Sequence, residues 1–356
     1  MKEKSQVADI DRSIYDIRDE ENDAYRMQSG LTPEIIEKLS KEKNDPVWMQ
    51  QFRLQSLQIY NETPVPDWGP SLEGLDIDNI ATYVRPNTKM QNNWENVPKD
   101  IKDTFDRLGI PQAERKSLAG VGAQYDSELV YHNVRAEVAA EGVVYMDIES
   151  AMKGEYADMV KKYFMKLVTP RDHKFAALHG AVWSGGSFVY VPKGVQLSIP
   201  LQSYFRLNAK GAGQNLDTGA KVVHLGKNTS SFMNTRSISK SGGISTFRSS
   251  VVVEKSAKKA KSSVSCQSLM LDSESRSDTI PAMDIRTKDA AVGHEAKIGS
   301  ISGDAIFYLM SRGMTEEDAR ALIVSGFADN VSKELPLEYA VEMNNLIRLE
   351  MKGSIG

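Results

Sequence analysis

The sequence predicts a mainly β core with helical ends, and three observations carry that class. Between residues 171 and 303, short alternating apolar runs recur: Ser187 to Val191, Lys221 to Leu225, Ser250 to Glu254 and Ser268 to Leu271. Small-residue turns such as Pro192-Lys193-Gly194 and Ser241-Gly242-Gly243 separate them. Helix start and stop signals crowd the chain on both sides of this stretch. Short strands with frequent turns fit a sandwich, a barrel or a β-solenoid. We favour the solenoid, because small-residue turns recur there without the Asn-Gly or Asp-Gly pairs of tight hairpins.

The elements follow in order. Residues 1–170 read as a mostly helical N-terminal region. Thr32-Pro33-Glu34 offers a capping hydroxyl, a proline suited to the first helical position and a carboxylate at the positive end of the dipole. Asp45-Pro46 repeats that signal, and Trp48, Phe52 and Ile59 follow as a buried stripe. Pro64, Pro66 and Gly69-Pro70 break the chain. Further helices are expected near Asp100 to Leu108 and from Ala151 to Leu167. Residues 171–303 are the β core. Residues 304–356 return to helix as a C-terminal domain. There Ser302 is the expected cap, and Thr315-Glu316-Glu317-Asp318 resembles a capping box opening a helix that ends near Gly326. A terminal amphipathic helix carries Tyr339, Met343, Leu346 and Ile347 on one face. It either closes the end of the β unit or docks a partner.

Composition excludes several functions. With 356 residues, 40% hydrophobic and 26% charged, the chain is of ordinary globular make-up. A net charge of -4 argues against a chain-wide nucleic-acid surface. The cluster Lys255, Lys258, Lys259 and Lys261 has no interleaved aromatics and reads as a solvated turn. No run of about 18 apolar residues exists, so no membrane-spanning helix is expected. The charged start shows no secretory signal, and a cytoplasmic protein is the expectation. No Walker A loop, G-x-S-x-G elbow or His-Glu-x-x-His motif occurs. An enzyme is not expected.

The single cysteine, Cys266, rules out an intramolecular disulfide. It cannot alone build a Cys-rich metal site. Either it is a buried structural residue, or other residue types or another subunit complete its site. Five histidines occur: His132, His173, His179, His224 and His294. Taken singly, each reads as structural or solvated. Gly293-His294-Glu295 differs, because it follows Cys266 by about one solenoid coil, and residues one coil apart stack in space. Thiolate, imidazole and carboxylate together suit iron. On a regular strand, however, His294 and Glu295 point to opposite faces, so both face Cys266 only if Gly293 makes a bulge.

Several stretches resemble the SufB/SufD family of iron-sulfur cluster assembly scaffolds. They are Cys266 to Pro281, Gly293 to Gly299, Phe307 to Gly313, the tail Glu334 to Asn344, Asp45 to Met49 with Phe52-Arg53, and Phe188 to Val195. The tail and the Asp-Pro-x-Trp-Met segment look more like the SufB branch than the SufD branch. The resemblance implies a helical N-terminal region, a right-handed parallel β-helix core and a C-terminal helical domain. It also implies partners: a SufC-type ABC ATPase on the C-terminal helices, a SufD-type paralogue or second copy through the β-helix, and a sulfur donor protein. It implies a transient iron-sulfur cluster at a subunit interface, with Cys266 and Glu295 as matching positions and His294 as a further candidate. A flavin accompanies some complexes of this family, but no flavin motif is readable here.

One departure stands out. The resemblance runs to Leu207-Asn208-Ala209-Lys210-Gly211-Ala212-Gly213-Gln214 and resumes directly at Asn215. A family member carries roughly a hundred residues between, several coils of a solenoid whose coils contact only their neighbours. The missing stretch would hold a second functional cysteine and the residues of sulfur delivery. A non-cluster-binding structural subunit, SufD-like or a degenerate paralogue, is therefore the alternative reading. A β-helix carbohydrate-active enzyme is a third, and it lacks the paired carboxylates such chemistry needs.

Overall fold

In a computed structural model, residues 23–73, 76, 79–86, 96, 120–125, 128–134, 136–196 and 214–332 are described. They fall in two units, within 11–206 and 207–356. The expected helices near Asp100 and after Glu338 lie outside the described residues.

In the first unit, α1 (Pro33–Glu42) starts as the sequence requires: Thr32 is the N-cap and its hydroxyl accepts from the Ile35 N–H. The next helix, α2 (Val47–Glu62), has Pro46 at the N-cap and no side-chain cap. Asp45 does not cap it. Its carboxylate accepts from Arg53 at 2.6 Å, and both side chains are fully buried. Arg53 also donates to the carbonyls of Ala181 and Trp183, at 3.2 and 2.8 Å. Its guanidinium lies 4.8 Å from the Trp183 ring centroid, and the Trp183 indole N–H donates to Met49 Sδ at 3.3 Å. The Asp45 to Arg53 motif is thus a clasp joining the start of α2 to the end of the helix Lys174–Val182. Burial pulls the guanidinium below its ordinary pKa, opposed by the charge and hydrogen bond of Asp45.

The expected helix from Ala151 to Leu167 is two, α4 (Ile148–Lys153) and α5 (Ala157–Tyr163), after the short α3 (Ala136–Ala140). The break falls at Gly154, where the backbone is extended. Within the predicted β stretch, α6 (Lys174–Val182) precedes the strands. It packs on α1 and α2 through Ile36, Leu57, Tyr60, Ala177 and Ala181. A Cβ on Gly180 would meet Ser56 Oγ at 2.6 Å, so α6 approaches α2 more closely than alanine permits. Beside the helices stand three antiparallel pairs: β1 (Asp23–Arg26) with β2 (Val84–Pro86), β3 (Gly120–Tyr125) with β4 (Glu128–Val134), and β5 (Val144–Asp147) with β6 (Ser187–Tyr190). Of these strands β6 matches the expected run Ser187 to Val191; the others lie in the stretch read as mostly helical, because such short pairs carry too few alternations to read.

The second unit is a solenoid. Six long strands follow: β7 (Asn215–His224), β8 (Ser230–Ser239), β9 (Ile244–Val253), β10 (Ala260–Met270), β11 (Arg276–Ile285) and β12 (Ala290–Ser300). They form two three-stranded parallel sheets, ordered β7-β9-β11 and β8-β10-β12. Each successive pair is one coil, so three coils stack with a parallel sheet on each side. The inward positions build one core from Met233, Val251, Val253, Ala257, Ala260, Val264 and Cys266. Burying each valine is worth roughly 1.5–3 kcal/mol. Inward serines pair across coils, Ser231 with Ser262 and Ser237 with Ser268, both at 2.8 Å. Small hydroxyls thus satisfy each other where a larger polar group would be stranded.

Helices close this unit. Ser302 caps α7 (Gly303–Ser311) as predicted, accepting from the Ala305 N–H at 3.3 Å. Thr315 accepts from the Asp318 N–H at 3.1 Å and donates to its carboxylate at 2.7 Å, opening α8 (Glu316–Ser332). That helix runs past Gly326. A single glycine costs a helix only about 1 kcal/mol, and packing next to it outweighs the cost: Arg236 on β8 donates to the Phe327 carbonyl and stacks over its ring at 5.4 Å. Among the described residues, no helix is long and apolar enough to cross a membrane.

Candidate functional site

The site is built by strand register. On β10 burial alternates through Ala260, Ser262, Val264 and Cys266, so these four face inward. β12 runs beside it without interruption, pairing Val264 with His294, Ser265 with Glu295 and Cys266 with Ala296. Aligned residues of parallel strands share a face. His294 therefore enters the interior beside Val264, one diagonal step from Cys266. The Cys266 Sγ lies 3.7 Å from His294 Nε2, within reach of a hydrogen bond involving sulfur. Cys266 is 2% exposed, while His294 is half-buried on the last described coil.

Glu295 takes the other face. The register shows no bulge at Gly293, so the alternation rule holds and the carboxylate points outward. Its side chain is 60% exposed and pairs with Lys297 at 2.8 Å. The Lys297 hydrogen bond, then its charge, holds the Glu295 carboxyl below its ordinary pKa. The structure thus brings Cys266 and His294 together and sets Glu295 on the outside of the same strand. Among the described residues no three His, Cys, Asp or Glu side chains converge into a metal cage. The thiol and the imidazole are two groups able to ligate a metal, and they meet on neighbouring coils.

His224 and His173 have local partners. His224 is buried, with Nδ1 2.7 Å from Thr229 Oγ1 and Nε2 2.9 Å from Ser231 Oγ. Through Ser231 it joins the hydroxyl pair with Ser262. Sequence reading missed this chain. Its only signal was that Ser231 and Ser262 sit at matching positions of neighbouring coils. His173 caps α6, accepting from the Ala176 N–H. Burial, then the nearby Arg53 charge, keeps the pKa of His179 below its ordinary value.

Stacked parallel coils with helices after them define a parallel β-solenoid protein, whose second and third described coils bring Cys266 and His294 together. The chain belongs to the SufBD family of the SUF system for iron-sulfur cluster assembly. Family models described as "SufBD protein N-terminal region" and "SUF system FeS cluster assembly, SufBD core domain" match residues 35–203 and 203–327. The chain is 37% identical to the iron-sulfur cluster assembly protein SufB of Bacillus subtilis over 462 positions, covering 98% of this chain and 99% of the relative. It is 36% identical to an iron-sulfur cluster assembly SufBD family protein of Staphylococcus epidermidis, covering 99% of each. A Staphylococcus aureus relative of the same description is also 36% identical. An alignment of 462 positions against a chain of 356 residues leaves at least 106 positions with no residue here. Both chains are covered almost end to end, so that shortening is internal.

Proposed function

We propose that this chain is a shortened scaffold subunit that holds a nascent iron-sulfur cluster, its cargo, at a subunit interface. The observation that carries the reading is the 3.7 Å approach of Cys266 to His294 on the last described coil. Thiolate and neutral imidazole both ligate iron, the thiol proton leaving to solvent as sulfur binds metal. Glu295 faces away from this pair, so its oxygen donor would serve only a ligand arriving on the outer face. A partner that pairs with the open edge of β12 would complete the ligand set. Among the described strands β11 and β12 end their sheets on one side, as β7 and β8 do on the other, and the edge of β11 and β12 supports pairing with a SufD-type paralogue or a second copy. Phe307, Tyr308 and Leu322 are exposed on α7 and α8, at 73%, 56% and 51%. This apolar surface supports docking of an ABC-type ATPase there. We read the coils as right-handed, the hand that parallel crossovers take. We read the missing residues as lying between Gln214 and Asn215, immediately before the first described coil.

The test is anaerobic co-expression with the cognate ATPase and paralogue, purification through this chain, and assay of iron and acid-labile sulfide. Wild type should carry both, and Cys266→Ser should lose both while the complex stays intact. Metal and sulfide retained in Cys266→Ser would sink the assignment. The second reading, a structural subunit without cargo, is favoured by the internal shortening. It predicts an intact ATPase complex in which even wild type lacks metal.

A further inference from the structure

Three turns of the solenoid, 225–229, 254–259 and 286–289, stack at one corner. The Asn228 N–H donates to the Lys258 carbonyl at 2.9 Å, and the Lys259 N–H donates to the Asp289 carbonyl at 2.6 Å. The Ser256 hydroxyl donates to the Leu225 carbonyl at 2.8 Å. Asn228 and Lys259 share a left-handed backbone, with φ of 58° and 60°. This stacking sets Lys227 beside Lys258 and Lys258 beside Lys288, each one coil apart. Lys255, Lys259 and Lys261 flank the row, and all six lysines are exposed. Among the described residues, none of these six ammonium groups has a carboxylate within ion-pair distance. Elsewhere on the unit, several cations are paired with carboxylates, among them Arg248 with Asp217, Lys297 with Glu295, and Arg320 with Glu316.

The fold does not require this row. Neighbouring coils lie about 4.8 Å apart, and like charges directly opposite each other on adjacent strands destabilise. The turns need a polar residue and a left-handed position, not a file of ammonium groups. Three carboxylates share the corner: Glu254, Asp284 and Asp289. Arg286 engages the first two, at 2.6 Å and 2.5 Å. The corner is therefore a net-positive mosaic on a chain whose net charge is -4.

We propose that this lysine row is a docking ridge for an acidic protein segment, apart from the cysteine–histidine site and independent of its reading. A phosphate backbone or anionic bilayer is uniformly negative and would be repelled by the interspersed carboxylates. A protein surface can match both signs. The row has no aromatic for base stacking, and its lone arginine is already engaged by carboxylates, which disfavours single-stranded nucleic acid. Lysine offers point charges to carboxylates rather than the bidentate fork that phosphate recognition favours.

The test uses the full chain and a fluorescent, net-acidic peptide in which lysines are interspersed among glutamates, with binding read by anisotropy. Wild type should bind at low salt and weaken as salt rises. Lys255→Glu/Lys258→Glu/Lys259→Glu should weaken binding at least about tenfold, since about six ammonium groups act together within a Debye length. Lys161→Glu/Lys162→Glu on α5 changes net charge elsewhere and should leave binding within about twofold by the same screening. Circular dichroism establishes that each variant is folded, and Lys258→Ala gives a milder change that relieves repulsion. No peptide binding by wild type overturns the proposal, as does equal loss in the α5 variant. Tighter binding to phosphatidylserine vesicles or to single-stranded DNA than to the peptide overturns it too.

Discussion

Replacing Arg53 with methionine tests whether the Asp45 to Arg53 clasp holds the first unit together. The change keeps an unbranched, apolar stem in place and removes only the guanidinium. It strands the Asp45 carboxylate, whose side chain is fully buried, and takes the donor from the carbonyls of Ala181 and Trp183. Breaking a buried ion pair from one side costs about 3–5 kcal/mol. Each orphaned carbonyl adds about 1–3 kcal/mol if it stays dry. These costs do not simply add, because water entering the vacated space rescues part of them. A net loss of about 3–5 kcal/mol follows, a large share of the roughly 5–15 kcal/mol that holds a domain folded. The assay is urea unfolding of the full chain followed by tryptophan fluorescence, since Trp183 lies against the guanidinium and reports on this clasp. Asp45→Leu in the Arg53→Met background should recover several kcal/mol, because two apolar groups replace a stranded charge. A loss below about 1 kcal/mol in Arg53→Met, or strict additivity in the double variant, would refute the clasp.

Three further outcomes are expected. Lys297→Met should raise the pKa of Glu295 toward the ordinary glutamate value, read by carboxyl carbon NMR across a pH titration; an unchanged pKa would remove Lys297 as the cause. Asp272 sits in the turn after β10. Burial acts upward on it, but the Ser275 hydroxyl and the N–H groups of Ser275, Ser241 and Glu274 outweigh that, so its pKa is below the ordinary aspartate value. A depressed folded pKa stabilises above the unfolded value of about 3.9 and stops doing so as pH falls through the folded value. Asp272→Asn should therefore melt earlier than wild type at neutral pH and converge with it in acid; a constant gap at all pH values contradicts the linkage. Gly219→Ala should destabilise the solenoid by about 1–3 kcal/mol, because its Cβ would lie 2.5 Å from the Arg248 carbonyl oxygen of the neighbouring coil; thermal melting no lower than wild type would contradict that contact.

What could be read from the sequence was local or periodic. Thr32, Ser302 and the Thr315–Asp318 pair act as predicted because a cap bonds within three residues of itself. Asp45 looked like another cap, but its partner is Arg53, whose remaining bonds reach carbonyls at 181 and 183. No local rule sees so distant a competitor. Gly326 read as a stop signal because propensity is blind to Phe327 packing under Arg236. At the candidate site, the coil length put His294 near Cys266, and alternation put Glu295 on the opposite face. Whether Gly293 would bulge and bring Glu295 inward was undecidable from residue types, since glycine permits a bulge without demanding one.

The contact between Cys266 and His294 is made wholly by adjacent strands of the second and third described coils. Its geometry is fixed by one register, counted back from the end of the stack. Coils added or removed upstream change the length of the stack but not that register, because each coil touches only its neighbours. A chain shortened upstream of these coils would therefore keep the same sulfur-to-nitrogen distance. Length and ligand geometry are separable quantities in this architecture, and they can vary independently.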